Sequence, residues 1–181
     1  LALAGVALFA LLPLVVGPYA LGIGLGLLMW IALAESWAMF SGLSGYISLG
    51  HAVFYGVGAY ATVLLWQVVP LWLAIPLSGV AAGLLAVCLG WPCLRVRGPY
   101  FVILTLGVSE FVKYIVISTE AALGRQGRLL IGTPSLTVLF EAMLVLAVVS
   151  MIVLYVVRSS KLGAGLLAIR EDEVAAEAVG V

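Results

Sequence analysis

The sequence predicts an all-α membrane protein, a polytopic bundle of about six transmembrane helices. Three observations lead there. Hydrophobic residues make up 65% of the chain and charged residues 9%, far below the roughly 25% charged content of a soluble domain. The apolar residues fall into long runs, close to the about 20 residues that carry a helix across a bilayer core. Pro13, Pro18, Pro70, Pro92, Pro99 and Pro134 sit near the ends of those runs, as expected of a residue that interrupts helices.

The spans follow in order. Residues 1–16 form a short first run that opens on Leu1 with no basic flank, which predicts a clipped start rather than a signal peptide. The second span is 19–40, and a Ser/Gly-rich break follows at 41–51. Span three is 52–69. Span four, 71–94, carries Pro76 early in its course. The fifth is 100–119 and the sixth 136–157, so 1–157 reads as a transmembrane domain and 158–181 as an appended segment. Gly22 and Gly26, and Gly79 and Gly83, recur at the four-residue spacing that lets helix backbones approach. Gly22, Gly24 and Gly26 do not make a dinucleotide loop, because no strand precedes them and their spacing is wrong.

The break is the most informative element. In hydrocarbon, non-helical backbone survives only where protein buries it or water solvates it, and transporters build substrate paths from such interruptions. Ser41, Gly42, Ser44, Gly45, Ser48, Gly50 and His51 are therefore the candidate pathway residues, and His51 is the only histidine. A glycine hinge, with His51 merely capping the next span, is the competing reading.

A charged side chain is costly at a helix centre. Glu35, Glu110, Lys113 and Glu141 nonetheless lie within the proposed spans. Glu110 and Lys113 are three residues apart and predict an intrahelical pair facing the bundle. Glu35 stands one turn before the break, and Glu141 is near a span end. Basic residues orient the chain. Arg95, Arg97, Arg158, Lys161 and Arg170 fall on one side and Arg125 and Arg128 on the other, placing the N-terminus and the tail in the cytoplasm.

Several function classes drop out. Eight basic and eight acidic residues leave no net charge to attract nucleic acid. Two cysteines, Cys88 and Cys93, cannot make a four-ligand zinc site, and no metal site is expected. No G-x-x-x-x-G-K-[ST] motif occurs, so the chain itself binds no ATP. No paired nucleophile and base is visible, so it is not read as an enzyme.

After 157 the character changes. Residues 158–165 read as a basic, flexible exit from the bilayer, and 166–181 as one short amphipathic helix. Leu166, Leu167, Ile169, Val174 and Val179 are its apolar residues; Arg170, Glu171, Asp172, Glu173 and Glu177 are its charged cluster. It is an interfacial helix or a docking element. Lipid-surface helices are rich in Lys and Arg, so the acidity favours docking.

Four segments, in order, carry a family resemblance. Ser44-Gly45-Tyr46-Ile47-Ser48-Leu49-Gly50-His51-Ala52 followed by Phe54-Tyr55-Gly56-Val57-Gly58-Ala59-Tyr60 is the first. Arg95-Val96-Arg97-Gly98-Pro99-Tyr100-Phe101 with Thr105-Leu106 is the second, and Glu110 with Lys113 the third. The fourth is Ala168-Ile169-Arg170-Glu171-Asp172-Glu173 with Ala176-Glu177-Ala178-Val179-Gly180. Together these resemble the LivM-type permeases, membrane subunits of ABC importers for branched-chain amino acids.

The resemblance implies an inner-membrane permease of a bacterial or archaeal cell that works with a second permease subunit, two cytoplasmic ATP-binding subunits and a periplasmic substrate-binding protein. ATP would bind those partners. Arg170, Glu171, Asp172, Glu173, Glu177, Ala178 and Gly180 match the segment that couples to the ATPase. There are departures. The family's Gly-rich loop between the fifth and sixth spans is eroded here to Leu123-Gly124-Arg125-Gln126-Gly127-Arg128-Leu129-Leu130, which puts the substrate class in doubt. Family members also continue past the coupling motif with further spans, which implies a C-terminally truncated chain. Rival functions are a permease for urea, short amides or another small polar solute, an ATP-independent secondary transporter or channel, and a structural membrane scaffold.

Overall fold

A computed structural model describes residues 9–13, 15–96, 98–124, 134–178 and 180. Most of the first expected span, together with Arg97, Arg125, Arg128, Val179 and most of the eroded loop, lies outside the described residues. The chain divides into two compact units, Leu1–Gly45 with Leu129–Val181, and Tyr46–Arg128.

The first unit is built on α1, Pro18–Trp37, which continues into a π-helical turn, Ala38–Gly42. Pro18 occupies the helix start, where its missing N–H costs nothing. Its partner is α5, Leu136–Ser159, capped by the Ser135 side chain, which accepts from the Val138 N–H. Leu21 and Leu28 mesh with Phe140, Met143 and Ala147 at three- and four-residue spacing, the stripe by which two helices share a seam. Phe140 is fully buried because Gly24 makes room for it. A Cβ on Gly24 would stand 2.9 Å from the Phe140 ring. The close approach expected at Gly22 and Gly26 is thus made by Gly24, and no described atom of another element lies within 4 Å of where a Cβ at Gly22 or Gly26 would sit.

Two short helices complete this unit: α6, Lys161–Glu171, and α7, Glu173–Ala178. The expected flexible exit is instead a tight corner. Ser160 is extended, and its hydroxyl donates to the Val157 carbonyl at 2.7 Å while accepting from the Gly163 N–H. Gly163 fits because a Cβ there would strike the Val157 carbonyl and come within 2.8 Å of the Arg158 carbonyl. The single amphipathic helix expected over 166–181 is also divided. Asp172 is extended and restarts the chain as α7, its Oδ1 accepting from the N–H groups of Val174 (2.9 Å) and Ala175 (3.1 Å).

The second unit contains α2, His51–Leu65, α3, Leu71–Cys93, and α4, Pro99–Ala122. α2 packs on α3, where Thr62 and Ser78 share a hydroxyl hydrogen bond of 2.6 Å. It also reaches α4, where the Tyr60 hydroxyl donates to Glu120. Gly98, with φ +65°, makes the turn into Pro99. α2 ends at Leu65, short of the expected 69, because the chain must turn into Pro70, which caps α3 and restricts the residue before it.

Among the described residues, four helices are long and apolar enough to cross a membrane: Pro18–Gly42, Leu71–Cys93, Pro99–Ala122 and Leu136–Ser159. At 1.5 Å per residue each extends about 35 Å, against a hydrocarbon core of about 30 Å. α2, at about 22 Å, falls short by itself. No more than 22% of the most apolar stretch of any long helix is buried within the chain. Val80, Leu84, Val87 and Trp91, one stripe of α3, are all exposed. A surface of that kind suits lipid and protein neighbours rather than water.

Candidate functional site

The break begins later than its composition suggests. Ser41 and Gly42 remain in the π-helical turn and Ser44 is still helical, so backbone without helical bonding is confined to 45–50. Helical bonding persists because an unsatisfied carbonyl in a bilayer costs more than the poor helix propensity of Ser and Gly. The Ser44 hydroxyl donates to the Phe40 carbonyl at 2.6 Å, a back-bond that substitutes for water at the helix end. Gly45 then ends the helix in the left-handed region (φ +77°), its N–H donating to Ser41 at 3.1 Å.

In the first unit the candidate pathway residues are Ser41, Gly42, Ser44 and Gly45. Ser41 and Ser44 are both buried, and the Ser44 hydroxyl serves packed backbone rather than an open cavity of this chain.

Ser48, Gly50 and His51 belong to the second unit. There 46–50 runs along the first turns of α4. Tyr46 meets Phe101 edge-on at 5.2 Å, and the Leu49 N–H donates to Thr105 Oγ1 at 3.2 Å. Gly50 sits so close to α4 that a Cβ would be 2.5 Å from the Thr105 carbonyl oxygen. Ser48 is buried. Gly50 is the N-cap of α2, and His51 is its first residue rather than its cap. Composition of the break pointed to none of its anchors on α4. The available signal was the Tyr100-Phe101 and Thr105 motif, which sequence reasoning used for resemblance only.

The charges inside the spans have distinct surroundings. Glu35 accepts from the Ser150 hydroxyl at 2.6 Å, across the α1–α5 seam. Glu110 and Lys113 form the expected ion pair. Within the chain their side chains are 51% and 52% exposed, and Lys113 lies 5.6 Å over the Tyr114 ring. Glu120 lies one residue past 119, the expected end of the fifth span. The helix runs to Ala122, which brings Glu120 to Tyr60. Among the described residues, no group of three His, Cys, Asp or Glu side chains is disposed to hold a metal.

In the tail, Glu171, Asp172, Glu177, Ala178 and Gly180 are exposed and Glu173 is half-buried. Arg170 is exposed as well. Its Nη1 donates to the carbonyl of Gly42 at 2.8 Å, tying α6 to the end of α1. Nothing in the local sequence pattern signals this contact between positions 128 apart.

Over residues 19–181 the chain matches the family described as branched-chain amino acid transport system / permease component. It is 30% identical to the high-affinity branched-chain amino acid transport system permease protein LivM of Escherichia coli (strain K12), over 77% of this chain and 41% of the relative. The protein of the same name from Salmonella typhimurium (strain LT2) shows the same identity and coverage. The chain therefore spans about two fifths of the length of the curated relatives it matches. No solved structure matches it. With its four long apolar helices, the chain is a multi-pass membrane protein.

Proposed function

The chain belongs to the permease family of branched-chain amino acid transport systems, and on that premise we propose that it is a permease subunit of an ATP-driven importer carrying branched-chain amino acids across the inner membrane. The observation that carries this reading is the family match over 19–181, together with relatives whose names state that transport.

A second permease subunit and lipid would cover the exposed apolar faces. Two cytoplasmic ATP-binding subunits would dock on α6 and α7 through Glu171, Asp172, Glu173 and Glu177, with Ala178 and Gly180 beside them, and ATP would be held by those partners. A periplasmic binding protein would deliver substrate. In this reading the N-terminus and 158–181 are cytoplasmic. The bundle has about six spans, with 1–16 as the first and α2 within the third, and the break near 41–51 as a re-entrant element.

The substrate path is assigned to the break: Ser41, Gly42, Ser44, Gly45, Ser48, Gly50 and His51. Backbone N–H groups at the N-terminus of α2 carry the partial positive charge that suits an amino acid's carboxylate. Glu110 and Lys113, charged and half-exposed, offer both signs that a zwitterion needs. ATP binding would shift the permease between inward- and outward-open populations.

The test is uptake of labelled leucine into vesicles holding the complete transporter, with binding protein and ATP supplied. ATP-dependent leucine uptake, competed by isoleucine and valine, is expected. Uptake that follows urea or short amides instead, or that runs on an ion gradient without ATP, overturns the assignment.

A further inference from the structure

A helix C-terminus leaves its last carbonyls without partners in the helix, and basic side chains are the favoured complement to its negative end. The α1 and π-helical segment carries no basic residue in its last turn. Its terminal carbonyls are met all the same. Ser44 Oγ takes Phe40, the Gly45 N–H takes Ser41, and Arg170 Nη1 takes Gly42. The third cap comes from α6 rather than from the helix itself.

A second feature selects the same contact. Gly45 lies against Arg170: a Cβ on Gly45 would stand 3.0 Å from Arg170 Cγ and 3.5 Å from its Cα. The left-handed glycine therefore both ends the helix and admits the α6 backbone. α6 is held in turn by the Ser160–Gly163 corner at one end and by the Asp172 cap of α7 at the other.

We propose that Arg170 is a positioning residue that latches α6 to the π-helical end of α1, acting inside this chain rather than touching the ATPase. This rests on the reading of α6 and α7 as the docking element. A π-turn is a rare, wide variant of the helix and tends to occur at functional sites. Drawing Arg170 off Gly42 leaves a terminal carbonyl uncapped and biases that turn toward a different winding. Ser41 and Gly42 lie within the turn, so their register changes when the latch opens. Displacement of the docking helices is converted in this way into a change of winding at the candidate pathway.

The experiment compares wild type with Arg170→Ala, Arg170→Lys and Gly45→Ala in the complete transporter, measuring co-purification of the ATP-binding subunit and substrate taken up per ATP hydrolysed. Co-purification stays at the wild-type level in Arg170→Ala, while uptake per ATP falls about tenfold, equivalent to ~1.4 kcal/mol. Arg170→Lys, which keeps the charge and one donor, recovers part of the loss, and Gly45→Ala reproduces Arg170→Ala. Wild-type uptake per ATP in Arg170→Ala overturns the latch. Loss of co-purification in that variant also overturns it, by making Arg170 a docking contact. If the wild-type chain itself binds no ATP-binding subunit, the transport reading falls as well, an outcome separate from either of those.

Discussion

Gly50→Ala tests whether the extended approach to α2 is fixed to α4 by close backbone contact. Gly50 has φ −87°, on the side of the map open to any L residue, so alanine brings no backbone strain and only the contact is probed. The new Cβ would be 2.5 Å from the Thr105 carbonyl oxygen, about 0.9 Å short of the 3.4 Å at which ordinary contact begins. That oxygen is main chain within α4 and cannot swing aside as a side chain would, so 46–50 must lift. A shift of that size stretches the Leu49 N–H to Thr105 Oγ1 bond from 3.2 Å beyond hydrogen-bond range. Overpacking costs about 1–3 kcal/mol and the lost bond about 1 kcal/mol, so a destabilisation of about 2–4 kcal/mol is expected. Equilibrium unfolding in mixed micelles measures it, with hydrogen exchange at the Leu49 amide as the local readout. Thr105→Val, which removes that acceptor together with the hydroxyl's own back-bond to the Val102 carbonyl, should cost about 1 kcal/mol for the bond to Leu49. The double variant should fall short of the sum by a similar amount, because the bond can be lost only once. Destabilisation under about 0.5 kcal/mol, or unchanged protection at Leu49, would refute the argument.

Four further outcomes are expected. Asp172→Ala removes the α7 cap and should cost about 1 kcal/mol, seen as faster exchange at the Val174 and Ala175 amides; Asp172→Asn should keep most of that protection. Gly163→Ala should open the α5–α6 corner at a cost of about 1–3 kcal/mol, detected as new proteolytic cleavage near 160. Ser150→Ala removes the hydroxyl donated to Glu35 and should lower stability by about 1–3 kcal/mol, a loss that Glu35→Gln in the same background should lessen because a neutral side chain tolerates the site better. Glu173→Lys combined with Glu177→Lys should abolish ATP-dependent uptake while membrane insertion, measured by protease protection, stays intact; normal uptake would remove these acids from the docking face.

The long helices were legible because two strong signals coincide at their ends. Apolar runs expected at 19–40, 71–94, 100–119 and 136–157 emerge as Pro18–Gly42, Leu71–Cys93, Pro99–Ala122 and Leu136–Ser159, with Pro18 and Pro99 marking starts that hydropathy alone would blur. The break was legible in outline only. Composition cannot distinguish a Ser that interrupts a helix from one that back-bonds to the preceding turn, and Ser44 does the latter. Gly163 and Asp172 were read as parts of a flexible exit and a charged cluster. Their roles as a corner and a cap depend on φ, ψ and neighbouring carbonyls, which no periodicity encodes. The same holds for Gly24, chosen over Gly22 and Gly26 solely by where Phe140 arrives. Arg170 was visible as a basic residue beside acids, but its partner is a main-chain carbonyl, and main-chain atoms leave no trace in residue identity.

The intramembrane charges show how local chemistry and the need for neighbours divide. Glu35 is a carboxyl within a long apolar helix whose hydrogen bond crosses to a second helix of its own unit, so its solution is internal. Glu110 is also met internally, by Lys113 one turn on, yet both remain half-exposed near the middle of α4. Pairing reduces the burden of two charges in hydrocarbon without removing it, since the outward N–H and oxygen groups still lack solvation there. Lipid is thus the least favourable neighbour for that face, while the apolar stripe of α3 through Val80, Leu84, Val87 and Trp91 accepts it readily. A charged face on one spanning helix and an oily face on another give the second unit two kinds of surface. The charged face belongs against water or another protein.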